Sequence, residues 1–481
     1  MNFEKLFNEY EILVKLFFKK KSKKEIKEKS QYFTPINIVD KMLNGIKISK
    51  KNKIKILDPS CGGGILIFKL LEKIYQVYEP TMIEIDLFDI DKNALEIVKT
   101  LSQYLDKTKI KVNLVLGDFL ESQNITKYDY IIMNPPYKKT NIISLADNFK
   151  KFINGQPNLY HLFIGSCLEK LKKDGILVII SPKNYLGGKY TENLRKILFN
   201  EFSILKIHTF NERSKLFDNK IVQEVCILHI SKESKNLINI SYNEEKSFNK
   251  SIKDLILCKE KNILMTPRND NDISIVKLFN KFSKFNTGKE ILMKIGKVVQ
   301  FRVKEEFLKE KEYSYYDSGK PLIVYRHINK GFFDYRELLE KKQNKAITLI
   351  ENLKTYKLLI DNKNYIFLKK NIDKSCSKLI LPVLYLKDLK TDKIAIDNNL
   401  IYITKKDGDF SLEEILGIFC ILNSNQFDLY YRVINNSHTV NIYELEVMNF
   451  PNLELIKKIG EKCINKNLTI EYCSNIIEQY L

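Results

Sequence analysis

The sequence predicts an α/β fold for its first half, in which parallel βαβ units form a sheet with helices on both faces. The main observation is that short apolar runs alternate with stretches of helical periodicity. A glycine-rich turn directly after the first run and an acidic residue at the end of the second run support the same fold class. The seven apolar runs are residues 53–57, 83–90, 111–116, 130–133, 175–181, 204–210 and 224–230.

Two N-terminal segments and one later segment lie outside this alternation. Residues 3–18 place apolar side chains at helical spacing, so we expect an amphipathic helix there. Residues 19–29 are rich in lysine, and they form either a solvated surface or a contact to a phosphate backbone. Residues 236–290 are polar, weakly periodic and rich in lysine and asparagine, which predicts a connector with some helix.

A second domain of α+β type is expected at residues 291–481. Short β-like runs come first in it, and two helical stretches follow. The β-like runs are residues 296–303, 322–325, 379–386 and 400–404, and the helical stretches are residues 412–422 and 455–464. A first domain at residues 1–235, the connector and this second domain together account for a length of 481 residues.

The composition excludes disordered, collagen-like and coiled-coil classes, because 44% of the residues are hydrophobic and 29% are charged. The 80 Lys and Arg residues outnumber the 59 Asp and Glu residues, which gives a net charge of +21. Such a charge favours a polyanionic partner such as nucleic acid. Lysine, isoleucine and asparagine are abundant and tryptophan is absent. This bias is typical of an AT-rich genome, so part of the positive charge reflects composition alone.

The cysteines predict neither a structural metal nor a disulfide scaffold. All 8 are scattered, without a Cys-x-x-Cys pair and without a histidine at metal-ligand spacing. Free thiols fit a reducing compartment. The N-terminus lacks a signal-peptide pattern, and no apolar run is long enough to span a bilayer. We therefore expect a cytoplasmic protein that binds neither a metal nor a membrane.

The glycine-rich turn at residues 58–64 is the first candidate ligand site. Its sequence is Asp-Pro-Ser-Cys-Gly-Gly-Gly, and it joins the first apolar run to a helical stretch. Glycines let the backbone approach a ligand closely, and the helix N-terminus offers free N–H groups. These features indicate a nucleotide-like ligand, with a plain tight turn as the alternative. Neither the P-loop pattern nor the dinucleotide fingerprint is present.

Acidic residues follow the second and third apolar runs. Asp89, with Ile90 after it, stands where a Rossmann-like sheet places an acid that accepts hydrogen bonds from a ribose diol. Capping of the next helix is the alternative, above all for Asp91. Asp118 and Phe119 repeat the arrangement after the third run, where the carboxylate could accept from an exocyclic amine and the ring could stack on a base.

The most specific motif is Asn134-Pro135-Pro136-Tyr137, directly after the fourth run. The two prolines fix the backbone and remove two N–H donors, which leaves the carbonyls of Asn134 and Pro135 as outward acceptors. Tyr137 adds a flat ring beside them. Acceptors in a line next to a ring would hold a planar aromatic amine, with a bland turn as the alternative.

Several motifs occur in a family-specific order. They are residues 31–35 (Gln-Tyr-Phe-Thr-Pro), 58–64, 89, 118–119, 134–137, 158–160 (Asn-Leu-Tyr) and 217–220 (Phe-Asp-Asn-Lys). This set resembles the gamma-class adenine-N6 DNA methyltransferases of bacterial restriction-modification or orphan type. The resemblance covers residues 1–235 and implies a Rossmann-like class I methyltransferase sheet of mixed direction with seven strands. It also implies S-adenosyl-L-methionine (SAM) as cofactor and a DNA target-recognition domain at residues 291–481.

The resemblance implies roles for individual residues. The catalytic residues would be Asn134, Pro135, Pro136 and Tyr137. The cofactor-binding residues would be Tyr32, Thr34, Asp58, Pro59, Ser60, Cys61, Gly62, Asp89, Ile90, Asp118, Phe119, Asn134 and Pro135. Thr34 and residues 58–64 would hold the methionine end of SAM, Asp89 its ribose, and Asp118 with Phe119 its adenine.

The same resemblance implies how a target base is held. Asn134 and Pro135 would accept from the amine of an adenine flipped out of duplex DNA, and Tyr137 would stack on the base. Phe217 would contact its other side with Lys220 nearby, or Phe217 is a core residue before the seventh run.

The second domain contains candidate residues for binding DNA. Basic and aromatic residues interleave there, and Arg302 and Arg326 are candidates for contacts to phosphates or base edges, with a solvated surface as the alternative. We expect a monomer that binds double-stranded DNA, and a cognate restriction endonuclease acting separately is compatible with this. Three other classes of protein share parts of the pattern. They are methyltransferases acting on RNA or on protein glutamine, the modification part of a bifunctional restriction enzyme, and a modification subunit that depends on a separate specificity chain. Cytosine-N4 methylation stays open, and the recognition sequence is not revealed.

Overall fold

The structure is a computed structural model that divides into two compact units, Met1–Asn269 and Asp270–Leu481. It describes residues 1–28, 32–123, 125–140, 147–156, 158–210, 225–243, 245–258, 260–285, 290–309, 319–329, 332–335, 348–373, 376–435 and 439–481. Among these residues, none of the helices combines the length and the apolar character needed to cross a membrane.

The first unit alternates strands and helices along most of its length. Its strands are β1 (Lys53–Asp58), β2 (Met82–Asp89), β3 (Ile110–Leu116), β4 (Tyr128–Met133), β5 (Leu171–Pro182), β6 (Ser203–Thr209), β7 (Val225–Ser231), β8 (Leu237–Tyr242), β9 (Phe248–Ser251), β10 (Ile256–Cys258) and β11 (Ile263–Leu264). Its helices are α1 (Phe3–Lys19), α2 (Lys23–Glu28), α3 (Ile36–Leu43), α4 (Ile65–Val77), α5 (Lys92–Leu101), α6 (Asp147–Lys150), α7 (Leu159–Glu169), α8 (Glu192–Glu201) and α9 (Ile252–Leu255). Short 3₁₀ turns lie at Ser102–Tyr104, Phe119–Glu121, Lys183–Leu186 and Lys189–Thr191.

One large sheet organises this unit, with the strand order β3-β2-β1-β4-β5-β7-β6-β8-β9. Strands β1 to β5 pair in parallel, whereas β7 runs antiparallel to both of its neighbours β5 and β6. This confirms the predicted α/β fold and its mixed sheet, and each of the seven predicted runs is a strand. The sheet has 9 strands rather than the seven expected, because β8 adds to β6 and β9 adds to β8.

The two added strands also correct the predicted connector at residues 236–290. Strand β8 pairs in parallel with β6, so this part of the chain belongs to the sheet of the first unit. Only Ile238 and Ile240 of β8 are buried, and polar residues surround them. A strand near the edge of a sheet buries one face, so its apolar signal is short and weak.

Burial on both faces of the central strands explains why they could be predicted. Every residue of β4 and of β7 is buried. Ile54 and Ile56, which share one face of β1, are fully buried in the same apolar core as Leu70 and Ile74 of α4. The predicted N-terminal helix is α1, which begins at the cap Asn2, and its residues Leu6, Tyr10 and Phe17 are buried. Part of the lysine-rich segment that follows is the short helix α2.

The second unit combines small sheets with a helical region. Its strands are β12 (Ile291–Ile295), β13 (Leu308–Lys309), β14 (Gly319–Ile323), β15 (Ile328–Asn329), β16 (Phe332–Phe333), β17 (Thr348–Ile350), β18 (Leu359–Asp361), β19 (Asn364–Lys369), β20 (Pro382–Leu386), β21 (Lys393–Ile396) and β22 (Leu400–Lys405). Its helices are α10 (Asp270–Phe279), α11 (Leu412–Asn423), α12 (Asn425–Ile434), α13 (Ile442–Leu445), α14 (Leu453–Glu461) and α15 (Ile470–Glu478). Short 3₁₀ turns lie at Gln300–Arg302, Glu305–Phe307, Tyr325–His327 and Tyr356–Leu358. The sheets have the orders β12-β22-β19-β20, β13-β17-β14-β21-β18 and β15-β16.

One predicted strand of this unit was wrong. Residues 296–303 leave strand β12 and include the 3₁₀ turn at Gln300–Arg302. Their apolar signal comes from Val298, Val299, Phe301 and Val303, but only Val298 is fully buried, and its backbone N–H donates to Ile396 O at 2.9 Å. A loop that contains one buried valine with a strand-like hydrogen bond therefore resembles a strand in its sequence pattern.

Candidate functional site

A cavity of about 330 Å³ opens in the first unit at the carboxyl ends of neighbouring parallel strands. Segments that follow β1, β2, β3 and β4 all contribute to its wall, as expected for ligand sites of open α/β sheets. It is lined by Tyr32, Phe33, Pro59, Ser60, Gly62, Asp89, Ile90, Gly117, Asp118, Phe119, Asn134, Pro136, Lys138, Leu159 and Phe163.

The glycine-rich turn forms one wall of the cavity because its backbone is held close to an aromatic ring. Gly62 has a φ of +50°, and a Cβ built on it would lie 2.9 Å from the Phe33 ring. Gly64, with a φ of +82°, begins helix α4. Side-chain-bearing residues rarely adopt such φ values, so glycine is required at both positions. The Gly62 backbone therefore lies close to the Phe33 ring, and both residues line the cavity.

Two predicted members of this turn lie behind the wall rather than on it. Asp58 is fully buried, and its Oδ1 accepts from the backbone N–H of Ser60 at 3.0 Å. Burial raises the pKa of Asp58 well above its ordinary value. Cys61 is also buried, and its backbone N–H donates to Phe88 O at 2.9 Å. Asp58 and Cys61 therefore shape the turn, whereas Pro59, Ser60 and Gly62 face the cavity.

Asp89 lies on the cavity wall as predicted, and it also holds the glycine turn. Its Oδ2 accepts from the N–H of Gly62 and its Oδ1 from the N–H of Asp91, both at 2.8 Å. Each carboxylate oxygen has a second lone pair, so Asp89 can still accept from a diol. Burial raises the pKa of Asp89. Asp91 caps helix α5 by accepting from the N–H of Asn93 at 2.9 Å, and it pairs with Lys21.

An apolar slot with a carboxylate at its edge forms a further part of the wall. The Phe119 ring lies between Phe88 and Phe163, with centroid distances of 5.3 and 5.8 Å. Ile90 is largely exposed at the end of β2 and faces the same cavity. Asp118 begins the next 3₁₀ turn, and its Oδ1 accepts from Leu120 N at 2.9 Å. A flat heterocycle with an amino group suits this combination of surfaces.

Hydrogen bonds hold both the side chain and the backbone carbonyl of Asn134. Its Nδ2 donates to Thr34 Oγ1 at 3.0 Å and lies 3.4 Å from the carbonyl oxygen of Tyr32. Its Oδ1 accepts from the Tyr137 hydroxyl at 2.8 Å. Its backbone carbonyl accepts from Ser60 Oγ at 3.3 Å. The motif after β4 is thus bound to the turn after β1 and to residues 32–34.

Tyr137 occupies a different position from the one expected. Its hydroxyl lies 2.8 Å from Asn134 Oδ1 and 3.2 Å from Ile180 O, and its ring makes an edge contact with Tyr160 at a centroid distance of 6.0 Å. Burial raises the pKa of Tyr137 well above its ordinary value, so the hydroxyl stays a donor. The ring is half-buried and absent from the cavity wall, whereas Pro136 lines the wall and Pro135 is buried.

Thr34 also differs from expectation, because it is 4% exposed and does not line the cavity. Lining residues that were not predicted are Phe33, Gly117, Lys138, Leu159 and Phe163. Phe33 and Leu159 lie inside quoted motifs, and Phe163 follows Leu159 by one helical turn of α7. That spacing is the signal that could have found it. Phe217 and Lys220 lie outside the described residues.

The two predicted DNA-contacting arginines lie in the second unit, each stacked on the preceding aromatic ring. The Arg302 guanidinium is 5.6 Å from the Phe301 ring centroid, and Arg326 is 5.6 Å from that of Tyr325. Arg326 Nε also donates to the Tyr325 hydroxyl at 3.0 Å. Phe301 is 84% exposed.

Comparisons with known proteins decide the class of this chain. Residues 65–217 match the model of the Eco57I restriction-modification methylase family. The type II methyltransferase M.BsuBI of Bacillus subtilis is 26% identical over 480 residues, which cover 90% of each chain. The type II methyltransferase M.PstI of Providencia stuartii is 25% identical over 401 residues, which cover 76% of each chain. The chain is a DNA methyltransferase that is similar to those of restriction-modification systems.

Solved structures agree with the fold of this methyltransferase. The type IIL restriction-modification enzyme MmeI, solved in complex with DNA, has a TM-score of 0.56 at 12% identity, covering 100% of this chain and 73% of that one. A nuclease-deletion mutant of the type ISP enzyme LlaGI has a TM-score of 0.53 at 15% identity, covering 94% of this chain and 56% of that one. Identities this low show the fold alone. That fold is a Rossmann-like α/β sheet.

Proposed function

We propose that this methyltransferase transfers a methyl group from SAM to the N6 amine of an adenine that is flipped out of duplex DNA at a specific sequence. The observation that carries the proposal is the placement of Asn134 at the edge of the cavity, directly after β4, with its amide nitrogen turned toward Thr34 and Tyr32. This leaves the amide oxygen as the acceptor on the side of Tyr137.

The cavity suits SAM in its shape and in its donors and acceptors. The backbone of Gly62, which carries no side chain, suits a close approach of the methionine end together with Pro59 and Ser60. Asp89 suits the ribose diol, and Asp118 with Phe119 suits the adenine. When bound, SAM supplies a methyl group that is activated by a positively charged sulfur.

Asn134 and Pro135 would direct the amine of the target adenine. The Asn134 Oδ1 and the Pro135 carbonyl oxygen each accept one N–H, which aligns the nitrogen lone pair with the methyl carbon. The N6 lone pair forms the new N–C bond while the C–S bond breaks and its electron pair stays on sulfur. The nitrogen then releases one proton to solvent. Positioning of the amine supplies most of the rate in this scheme, with no protein base required.

Tyr137 would change its contacts when the target base enters: its hydroxyl binds Asn134 before entry, and its ring stacks on the base afterwards. Its hydroxyl donates to Asn134 Oδ1, the atom that the adenine amine needs. Because an oxygen of this kind has two lone pairs, the hydroxyl can share it or leave for Ile180 O, which lies 3.2 Å away. The ring then stacks on the flipped base, a contact worth about 1–3 kcal/mol against an unstacking cost of a few kcal/mol. Phe217 and Lys220 remain candidates for the other side of the base.

The second unit would recognise DNA through neighbouring pairs of aromatic and basic residues. Gln300 Nε2 donates to Asp397 Oδ2 at 2.8 Å, and the N–H of Asp397 donates to Ile323 O at 2.9 Å. Asp397 therefore holds the segment with Phe301 and Arg302 beside the segment with Tyr325 and Arg326. Guanidinium groups contact phosphates and guanine edges, and exposed rings stack on bases. We propose double-stranded DNA as the partner of this surface, with any restriction endonuclease acting as a separate protein.

The proposal is tested by methyl transfer in vitro. Purified protein is incubated with methyl-labelled SAM and unmethylated genomic DNA, and the DNA is digested to nucleosides. We expect the label in N6-methyladenine. Label in N4-methylcytosine would refute the choice of base, and label found only in RNA or protein supplied in parallel would refute DNA as substrate.

A further inference from the structure

Lys21 connects the end of helix α1 to the acidic turn beside the cavity. Its ammonium group pairs with the carboxylate of Asp91, and the two side chains are only 11% and 3% exposed. The same ammonium lies 4.1 Å from the ring centroid of Phe17 in α1. The lysine-rich segment at residues 19–29 predicts a solvated surface or a phosphate contact, whereas Lys21 has a buried acidic partner inside the first unit.

Asp91 in turn holds Asp89 through its backbone. The N–H of Asp91 donates to Asp89 Oδ1 at 2.8 Å, and Asp89 Oδ2 accepts from the N–H of Gly62, also at 2.8 Å. Asp91 itself is fixed at both carboxylate oxygens, because Oδ2 accepts from Lys21 and Oδ1 accepts from Asn93 N at 2.9 Å. The contacts therefore run from Lys21 through Asp91 to the acid on the cavity wall.

The charges around Asp89 show why a cation matters at this place. Burial raises the pKa of Asp89, the charge of Asp91 adds to the rise, and the two backbone hydrogen bonds and the charge of Lys21 oppose it. Burial also raises the pKa of Asp58, with the charge of Asp89 acting in the same direction, and burial with both charges raises the pKa of Cys61. A ribose diol donates two hydrogen bonds, so it needs the ionised carboxylate of Asp89.

We propose that Lys21 is a positioning residue for Asp89, the acid that holds the ribose of SAM, and that it acts by neutralising the buried charge of Asp91. Removing one partner of a buried ion pair leaves the other charge uncompensated. Without Lys21, the Asp91 carboxylate repels that of Asp89, and the N–H that orients Asp89 loses its fixed place. This inference rests on the proposed function, in which Asp89 accepts from the cofactor.

Helix α1 also reaches the cavity wall by an aromatic route. The Phe17 ring stacks on Phe33 with a centroid distance of 5.0 Å, and a Cβ built on Gly62 would lie 2.9 Å from the Phe33 ring. The ionic and the aromatic contacts from one helix end thus meet at Gly62. A substitution that removes only the ammonium of Lys21 leaves the aromatic contacts in place, so it tests the ionic route by itself.

Lys21→Met keeps the length of the side chain and removes its charge. Lys20→Met is the matched control, because Lys20 is an exposed lysine at the adjacent position. We expect Lys21→Met to raise the Kd for SAM, measured by calorimetry without DNA, about 10-fold, and Lys21→Arg to stay within about 3-fold of the wild type. Lys20→Met should leave this Kd unchanged. With saturating SAM, kcat of Lys21→Met should stay within about 3-fold of the wild type, since only cofactor binding is affected.

The pH dependence of SAM binding separates this role from a general loosening of the fold. Affinity falls as the pH decreases and Asp89 gains a proton. Removing the charge of Lys21 raises the pKa of Asp89, so the loss should begin about 0.5 to 1 pH unit higher in Lys21→Met than in the wild type. An unshifted pH profile would contradict the inference.

Addition of Asp91→Asn to Lys21→Met tests the route through Asp91. Asparagine caps a helix as well as aspartate does and keeps the backbone N–H, so this change removes only the uncompensated charge. We expect the double variant to recover a Kd for SAM within about 3-fold of the wild type. If Lys21→Met does not fold, as judged by thermal unfolding, Lys21→Gln replaces it in every comparison.

Three results would overturn the inference. They are an unchanged Kd for SAM in Lys21→Met, a double variant that binds SAM no better than Lys21→Met, and a loss of DNA affinity in Lys21→Met at constant Kd for SAM, which would make Lys21 a phosphate contact. Wild-type protein that binds no SAM would instead refute the proposed function, and this result is obtained before any variant is made.

Discussion

Tyr137 and Asn134 show that a motif can specify residues without specifying their contacts. The sequence places the ring and the acceptor three positions apart, and the structure joins them by a hydrogen bond of 2.8 Å. The ring and the hydroxyl of Tyr137 therefore have separate consequences. The hydroxyl binds the acceptor when no base is present, and only the ring can stack on a base.

This separation leads to opposite expectations for two substitutions. Tyr137→Phe keeps the ring and frees Asn134 Oδ1, so we expect the methyl-transfer rate to stay within about 3-fold of the wild type. Tyr137→Ala removes the stacking surface, and stacking of about 1–3 kcal/mol corresponds to a loss of roughly 5- to 150-fold. Single-turnover assays on unmethylated DNA measure both. Equal losses in the two variants would show that the hydroxyl, not the ring, carries the role.

Gly62 offers a test of the cofactor wall, with Gly45 as its matched control. Both have positive φ, +50° and +76°, but a Cβ at Gly62 would lie 2.9 Å from the Phe33 ring, whereas the space around Gly45 is open to 4 Å. We expect Gly62→Ala to weaken SAM binding by about 10-fold or more, because it adds a clash to a backbone strain of about 1–2 kcal/mol. Gly45→Ala should leave the Kd for SAM unchanged by calorimetry. Similar affinities in both variants would remove Gly62 from the cofactor site.

The strands and turns divide into those that the sequence predicts and those that it does not. The runs at β4 and β7 were predicted because these strands are buried on both faces and give continuous apolar runs. The edge strand β3 has one buried residue, Ile110, and it was predicted because Val112, Leu114, Val115 and Leu116 keep its run apolar. Strand β8 was missed because only Ile238 and Ile240 point into the core. The loop at residues 296–303 was misread as a strand because it contains Val298, Val299, Phe301 and Val303, of which only Val298 is buried. The spacing of apolar residues in a sequence indicates which residues are buried. At a sheet edge or in a loop, however, burial depends on packing against residues that are distant in the sequence.

The residues of the candidate site also divide into those that local sequence predicts and those that depend on distant contacts. The glycine turn, Asp89, Asp118 and Asn134 were predicted because each follows a strand whose position is clear from sequence. The contact of Thr34 with Asn134 spans 100 residues, and no local pattern encodes such a pairing. The position of Phe33 on the cavity wall likewise depends on its packing against Phe17 of α1.

The two arginine–aromatic pairs of the second unit allow a test of DNA recognition. We expect Arg302→Ala and Arg326→Ala each to weaken binding to a cognate duplex by about 1–3 kcal/mol if the side chain reads a base edge. A phosphate contact would instead lower the salt dependence of binding by about one unit on all sequences. Lys458→Ala is the control, because Lys458 pairs with Glu454 on the exposed face of α14 in the same unit. Binding curves that match this control in both arginine variants would exclude the surface.

Buried histidines give the molecule as a whole a dependence on acid. Burial lowers the pKa of His229 to about 4, with Lys206 nearby acting in the same direction, and its Nε2 lies 2.6 Å from Met42 O. Burial also lowers the pKa of His161 and of His327 to about 3. In both residues Nδ1 accepts from a backbone N–H, of Asn158 and of Val324 respectively, so a proton there would remove the bond. Each unit therefore contains histidine that folds in the neutral form.

The sign of this effect is fixed by the lowered pKa values. An unfolded histidine titrates near 6.5, so the stabilisation by the neutral form is complete above pH 6.5 and is lost as the pH falls toward 4. We expect each buried histidine to cost about 1.4 kcal/mol at pH 5.5, where the unfolded state has gained the proton. Urea unfolding at pH 7.5 and 5.5 measures this. His229→Gln should reduce the difference by one such step, and a difference that is unchanged in this variant would exclude His229 as a source.

DNA methylation in living cells tests the central claim most directly. The positive charge of +21 favours DNA as the partner, and Asn134 lines the cavity of the first unit. Genomic DNA is taken from a host without adenine methylation that expresses either the wild type or Asn134→Ala, and it is sequenced as single molecules so that modified bases are detected directly. We expect N6-methyladenine at one position of one short sequence in the wild-type sample and at none in the variant. Methylation that persists with Asn134→Ala, or wild-type DNA in which the modified base is cytosine, would show that Asn134 does not direct an adenine amine.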